Sequence, residues 1–173
     1  MNKTKKMTIT AVIAAITTIS SSIIFIPVGF AKIFPIQHLA NVLAAVILGP
    51  WYAVLQAFLS STLRNMLGTG SIFAYPGSMI GAFLAAILYS KTKKIGLAAA
   101  GEVIGTGILG ALATYPIATL ILGQKATLFG FLPAFIISSF TGALLGYVFL
   151  KVLIKNRALG GYIHENSINN RRL

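Results

Sequence analysis

Polar side chains are scarce in this chain, and those able to do chemistry fall into a few tight groups. Gln37 and His38 are neighbours, and Asn41 follows three to four positions on. Gln56, Ser60 and Arg64 recur at i, i+4 and i+8, with Asn65 next. On a helix that spacing puts the three on one face. Glu102 is the only acid in the apolar part of the chain, and Arg64 is the base that falls inside an apolar helix. At membrane depth such groups are costly unless they face the protein interior or a wet cavity. The stripe is therefore expected to look inward, toward a pocket or a buried network.

Two readings of the charged pair follow. Glu102 and Arg64 could neutralise each other, or one or both could contact a ligand. At 1.5 Å per residue their depths differ by about 9 Å, which a long Arg side chain would mostly bridge. The segment from Arg64 to Ser78 carries Asn65, Gly68, Gly70, Phe73, Tyr75, Pro76 and Gly77. Gly68 can end one helix and Pro76 suits the first turn of the next. Phe73 and Tyr75 could stack on a flat ring, or serve as interfacial aromatics of an ordinary turn. Trp51 and Tyr52 read as belt residues at the opposite edge.

Several chemistries are excluded. There is no cysteine, so disulfides and thiol catalysis drop out. Gly105, Gly107 and Gly110 spell G-x-G-x-x-G, but inside an apolar helix rather than after a strand, so a dinucleotide site is declined. With Gly101 they fit a small-residue packing face, as do Gly77/Gly81 and Gly142/Gly146. No phosphate-binding lysine loop, zinc-protease signature or Ser/His/Asp set is present, and two histidines do not build a typical metal site. The expectation is a protein that is not an enzyme and needs no cofactor or metal.

The elements that must position these residues are membrane helices. The chain has 173 residues, is 57% hydrophobic and only 9% charged, against about 25% charged in soluble domains. Fourteen Lys and Arg stand against two acids. A basic balance can signal nucleic acid, but here eleven of the fourteen cluster at Lys3–Lys6, Lys91–Lys94 and Lys151–Arg172, as flanks of apolar runs. Loops rich in Lys and Arg stay cytoplasmic, so the partner implied is the lipid bilayer rather than nucleic acid. The run from Met7 to Ile26 is long enough to span, which argues against a cleaved leader.

Helices are expected at 7–26, 36–49, 51–67, 75–90, 95–122 and 130–154. The predicted fold is an all-α integral membrane protein with six transmembrane helices, N-in and C-in, in the cytoplasmic membrane. Residues 1–155 would form a single domain, and 156–173 a polar, basic cytoplasmic tail. Loops 27–35, 68–74 and 123–129 then face outward, carrying only Lys32 and Lys125. Along helix 1 the small residues Thr8, Ala11, Ala15, Thr18 and Ser22 share a face, suited to packing inside the bundle or to docking another membrane protein.

Several multi-residue motifs closely resemble the ThiW family. They are the run from Pro27 to His38, Asn41-Val42, Gly49-Pro50-Trp51-Tyr52-Ala53, Arg64-Asn65-Met66-Leu67-Gly68-Thr69-Gly70, Tyr75-Pro76-Gly77-Ser78 and Gly101-Glu102-Val103-Ile104-Gly105-Thr106-Gly107. The resemblance spans roughly residues 7–150. It implies the substrate-binding (S) component of an energy-coupling factor (ECF) vitamin transporter, a six-helix protein that takes its ligand from outside. Such a component docks on a transmembrane coupling protein carried by two cytoplasmic ATPases. Ala11 and Ala15 match the family's Ala-x-x-x-Ala docking motif. The implied ligand is hydroxyethylthiazole, the thiazole precursor of thiamine. Phe73, Tyr75 and Tyr115 could then supply ring contacts, and Gln37, His38, Asn41 or Asn65 could bond its polar atoms. Arg64, with or without Glu102, suits a neutral ligand less well. Rival readings are an S component for another small vitamin or precursor, and a self-sufficient channel or secondary transporter that would titrate Glu102.

Overall fold

The computed structural model describes residues 1–28, 31–123, 125, 127–155 and 161. Six helices and a two-stranded ribbon run in the order α1 (Lys3–Ile23), β1 (Ile26–Val28), β2 (Ala31–Ile33), α2 (Pro35–Leu48), α3 (Pro50–Met66), α4 (Ala74–Thr92), α5 (Ile95–Ile121) and α6 (Leu132–Lys155). α1, α5 and α6 are long and apolar enough to cross a membrane, and α2 is a shorter apolar helix. The tail at 156–173, with Arg157, Arg171 and Arg172, lies outside the described residues, as does part of the loop at 123–129.

Local chemistry sets the boundaries. The Asn2 side chain caps α1 by accepting from the Lys5 amide at 3.0 Å, which starts the helix four residues earlier than its apolar run. The helix stops at Ile23 rather than Ile26 because Ile26 pairs with Ile33 and Pro27 with Lys32 in an antiparallel ribbon. Gly49 has φ of 84°, a left-handed value that lets α2 turn directly into Pro50 of α3. α3 ends before Gly68, also at positive φ. α5 is a single helix with wider, π-type turns at Gly105–Gly110 and Ile117–Ile121.

Consecutive helices alternate in direction. The Lys6 ammonium lies 5.5 Å from the Tyr52 ring centroid at one end of the bundle, and Ser22 meets Thr69 at 2.9 Å at the other, so α1 and α3 run parallel. α4 returns along α3, with Ser78 and Ser61 hydroxyls 3.4 Å apart. α5 crosses α4 through glycine: a methyl added at Gly101, Gly105 or Gly110 would collide with the backbone of Ala85, Gly81 or Gly77. α6 lies along α2, where Gly142 packs on Pro35 and His38 and Gly146 on Val42 and Leu39. The described lysines of all three basic clusters therefore gather at one end. Small side chains fill the core between α2, α3 and α4, namely Ala44, Ala45, Ala53, Ala57, Ala82, Ala85 and Ala86. That composition permits the close backbone approach on which helix association in lipid depends.

The small-residue row of α1 divides. Thr8, Ala11 and Ala15 are exposed, whereas Thr18 is buried and Ser22 half-buried. The face that packs on the bundle is Thr10, Ala14, Thr17 and Ser21, where Thr17 lies 3.5 Å from the Gln56 amide of α3. Both rows are small, so residue type alone does not say which one turns inward.

Candidate functional site

At the end away from the lysine clusters the helices part around a cavity of about 470 Å³. β2 and the start of α2 contribute Lys32, Phe34, Gln37 and His38, and α3 contributes Arg64. The loop 68–71 closes one side, with Phe73 just before α4, Gly77 and Ser78 of α4, Thr106 of α5, and Phe131, Phe135 and Ser138 around α6 completing the wall. Phe73 and Phe131 stand 5.1 Å apart between ring centroids, with Phe135 6.4 Å beyond. This makes an apolar, aromatic chamber with a polar side, of the size that small-molecule sites occupy.

Two buried charges border it, and they are not paired with each other. One Glu102 oxygen accepts from His38 Nδ1 at 2.8 Å, Asn41 Nδ2 at 2.9 Å and the Thr106 hydroxyl at 2.9 Å. A carboxylate only accepts, so the His38 proton sits on Nδ1 and Nε2 is left as the ring's free hydrogen-bonding atom. The second Glu102 oxygen looks toward Gly81, where an added methyl would lie 2.7 Å from it. Gly81 makes the room that the carboxylate occupies. Arg64 donates from one terminal nitrogen to the Gln37 carbonyl oxygen and from the other to the Thr69 carbonyl at 3.1 Å. Its guanidinium lies 3.9 Å from the Phe34 ring centroid.

A direct Glu102–Arg64 pair, one of the two readings of the sequence, does not form. His38 lies closer to Glu102 and already faces it, and Arg64 is drawn toward the loop by Thr69. The two charges are instead joined by a relay. Gln37 bonds Ser61 at 3.0 Å, Ser61 meets Ser78, and the Ser78 carbonyl accepts from Asn41, which bonds Glu102.

A family model for ThiW, the thiamine-precursor transporter protein, matches residues 7–156. The chain belongs to the ThiW family. No curated protein and no solved structure matches it. This ThiW-family chain is accordingly a membrane protein of a transporter family, in keeping with its three long apolar helices.

Of the residues expected at the site, Gln37, His38, Arg64 and Phe73 line the cavity. Asn41 and Glu102 lie behind the wall and hold His38. Asn65 organises the loop instead, donating to the Ser61 carbonyl at 2.8 Å and the Ser71 carbonyl at 3.1 Å. Tyr75 is directed away: its hydroxyl bonds Thr62 at 3.1 Å and its ring packs on Phe58 of α3. The cavity face of α4 runs through Ala74, Gly77 and Ser78, and helical spacing turns position 75 off it. Tyr115 also lies off the wall, about 14 Å further along α5 than Thr106.

Phe34, Thr106, Phe131, Phe135 and Ser138 were not singled out from the sequence. Phe131 and Phe135 sit at i, i+4, which in an apolar helix resembles a lipid-facing pair. Thr106 is the one hydroxyl inside the glycine run of α5 and, with Glu102 one turn earlier, was the available signal.

Proposed function

We propose that this ThiW-family chain is the membrane-embedded substrate-binding subunit of an ECF-type transporter. In this reading six spans place both termini in the cytoplasm, and hydroxyethylthiazole is captured from outside for uptake driven by partner ATPases. The observation that carries it is the aromatic cavity at the end opposite the three lysine clusters, with Gln37, His38 and Arg64 on its polar side. Lysine-rich ends stay cytoplasmic, so the cavity opens to the exterior. A thiazole ring fits among Phe73, Phe131 and Phe135. Its hydroxyl and ring nitrogen find a donor in Arg64 and a hydrogen-bonding partner in His38 Nε2, the ring nitrogen that Glu102 does not engage.

The exposed Ala11 and Ala15 support docking on a transmembrane coupling protein. Replacing both with Val should leave ligand affinity unchanged and impair uptake in cells that carry the coupling module. Loss of ligand binding instead would make the face part of the bundle core.

The primary test is calorimetric binding to the purified protein in nanodiscs, with hydroxyethylthiazole, thiamine and the pyrimidine precursor compared. Saturable binding of the thiazole alone is expected. No binding of any of them to folded protein would remove the ligand assignment. The buried His38–Glu102 pair favours one rival, a proton-coupled carrier that works alone. That rival requires uptake without the coupling module, whereas the subunit reading requires uptake to vanish when the module is deleted.

A further inference from the structure

Arg64 is only 2% exposed, lies on the cavity wall and has no acidic partner among the described residues. The chain holds two acids in all. Glu165 lies outside the described residues, and Glu102 already serves His38, Asn41 and Thr106. Every group that Arg64 meets is neutral: the Gln37 amide, the Thr69 carbonyl and the Phe34 ring. Its Nε is buried with no acceptor. A guanidinium carries five N–H donors, and these contacts spend two of them. Lys32 also borders the cavity, with its ammonium 4.7 Å from the Phe25 ring centroid. A buried charge is costly without an opposite one, and the cavity is the side from which that opposite charge can come.

We propose that the Arg64 end of the cavity is an oxyanion subsite, so that the preferred ligand is a flat heteroaromatic whose side chain ends in a carboxylate or phosphate. This rests on the cavity being the precursor site, and it puts an anionic form of the precursor in place of the neutral alcohol as the preferred ligand. The guanidinium fork matches two oxygens of such a group at once. Phe34 packs on the guanidinium face and Gln37 and Thr69 hold two of its corners, so the fork is fixed before ligand arrives. A neutral alcohol offers one oxygen and leaves the charge uncompensated. With the anion at Arg64, the ring extends toward Phe73, Phe131 and Phe135.

The test is calorimetry on the wild-type protein in zwitterionic nanodiscs. The probes are hydroxyethylthiazole, its phosphate monoester, the analogue with a carboxylate in place of the alcohol, and inorganic phosphate alone. One of the two anionic thiazoles should bind about 10- to 100-fold more tightly than the alcohol, and the winner tells phosphate from carboxylate. The preference should shrink with added salt, disappear in Arg64→Gln and partly persist in Arg64→Lys. Alcohol binding as tightly as either anion overturns the subsite and leaves the thiamine-precursor reading standing. If no thiazole binds but inorganic phosphate raises the unfolding temperature of wild type and not of Arg64→Gln, the subsite holds and the thiazole reading fails. If phosphate has no such effect and no thiazole binds, both fail. The wild-type ligand series decides the matter even where a variant does not fold.

Discussion

Glu102 and Arg64 are both buried charges, one at the α2–α4–α5 crossing and the other at the mouth of the cavity, and the protein treats them in opposite ways. Glu102 is enclosed by three donors from three side chains, with a glycine making space for its second oxygen. Arg64 has an open cavity on one side and only neutral partners on the other. A charge enclosed by its own fold contributes to structure and orients its neighbours. A charge left short of partners beside a cavity is available to something that enters. Each keeps one buried atom without a partner, Glu102 Oε2 and Arg64 Nε; what separates the two roles is that Arg64 lies on the cavity wall and Glu102 does not.

The largest expected effect comes from removing the enclosed charge. Glu102→Leu removes the acceptor that His38, Asn41 and Thr106 share, and breaking a buried pair in this way costs about 3–5 kcal/mol. Denaturant unfolding in detergent micelles should show it. A loss below about 1 kcal/mol would put Glu102 on the same footing as Arg64 and erase the contrast.

Arg64→Gln should behave in the reverse sense. Folding stability should fall by less than in Glu102→Leu, since the loss of two charge-assisted bonds is offset by removing a buried charge that has no acidic partner. Ligand affinity should drop about 10- to 100-fold. Parallel unfolding and titration experiments separate the two quantities. If stability collapses with affinity unchanged, Arg64 is a structural residue and the cavity mouth has been misassigned.

Thr106→Val sharpens the comparison on the Glu102 side. The substitution keeps volume but deletes the hydroxyl that lies 2.9 Å from Glu102 and 3.0 Å from the Gly77 carbonyl. A loss of about 1 kcal/mol is expected, with a smaller weakening of ligand because Thr106 also touches the cavity wall. Additivity with Glu102→Leu should fail, since the two share one bond. Strict additivity in the double variant would mean that the hydroxyl serves Gly77 and not the carboxylate.

Much of this arrangement was legible in the sequence, because the signals are one-dimensional. Apolar runs bounded by lysines gave the helices, Gly49-Pro50 marked the α2–α3 junction, and glycine spacing marked packing faces on α4, α5 and α6 without saying which helix each one meets. The ribbon was not legible, because Ile26-Pro27-Val28 is too short for alternation to register and Pro27 argues against a strand. The partner of Glu102 was not legible either. Scarcity of charge suggested Arg64, but nothing in the spacing says that His38, 64 positions away, comes within 2.8 Å. Phe131 and Phe135 were hidden because an aromatic facing a cavity and one facing lipid look alike in an apolar helix.

Tyr75→Phe tests the boundary of the site with the smallest change. Tyr75 was grouped with Phe73 because the two are near neighbours in a loop rich in glycine, yet a helix sets i and i+2 about 200° apart. Phe73 reaches Phe131 across the cavity, while Tyr75 leans on Phe58 and bonds Thr62. Deleting the hydroxyl removes one half-buried hydrogen bond, so stability should change by about 0.5–1 kcal/mol and ligand affinity should not change. Phe73→Leu in the same titration should weaken binding, since it removes a ring from the wall. A several-fold loss of affinity in Tyr75→Phe would extend the site around α4 toward α3, and the contrast between a closed Glu102 centre and an open Arg64 mouth would then need a third polar edge.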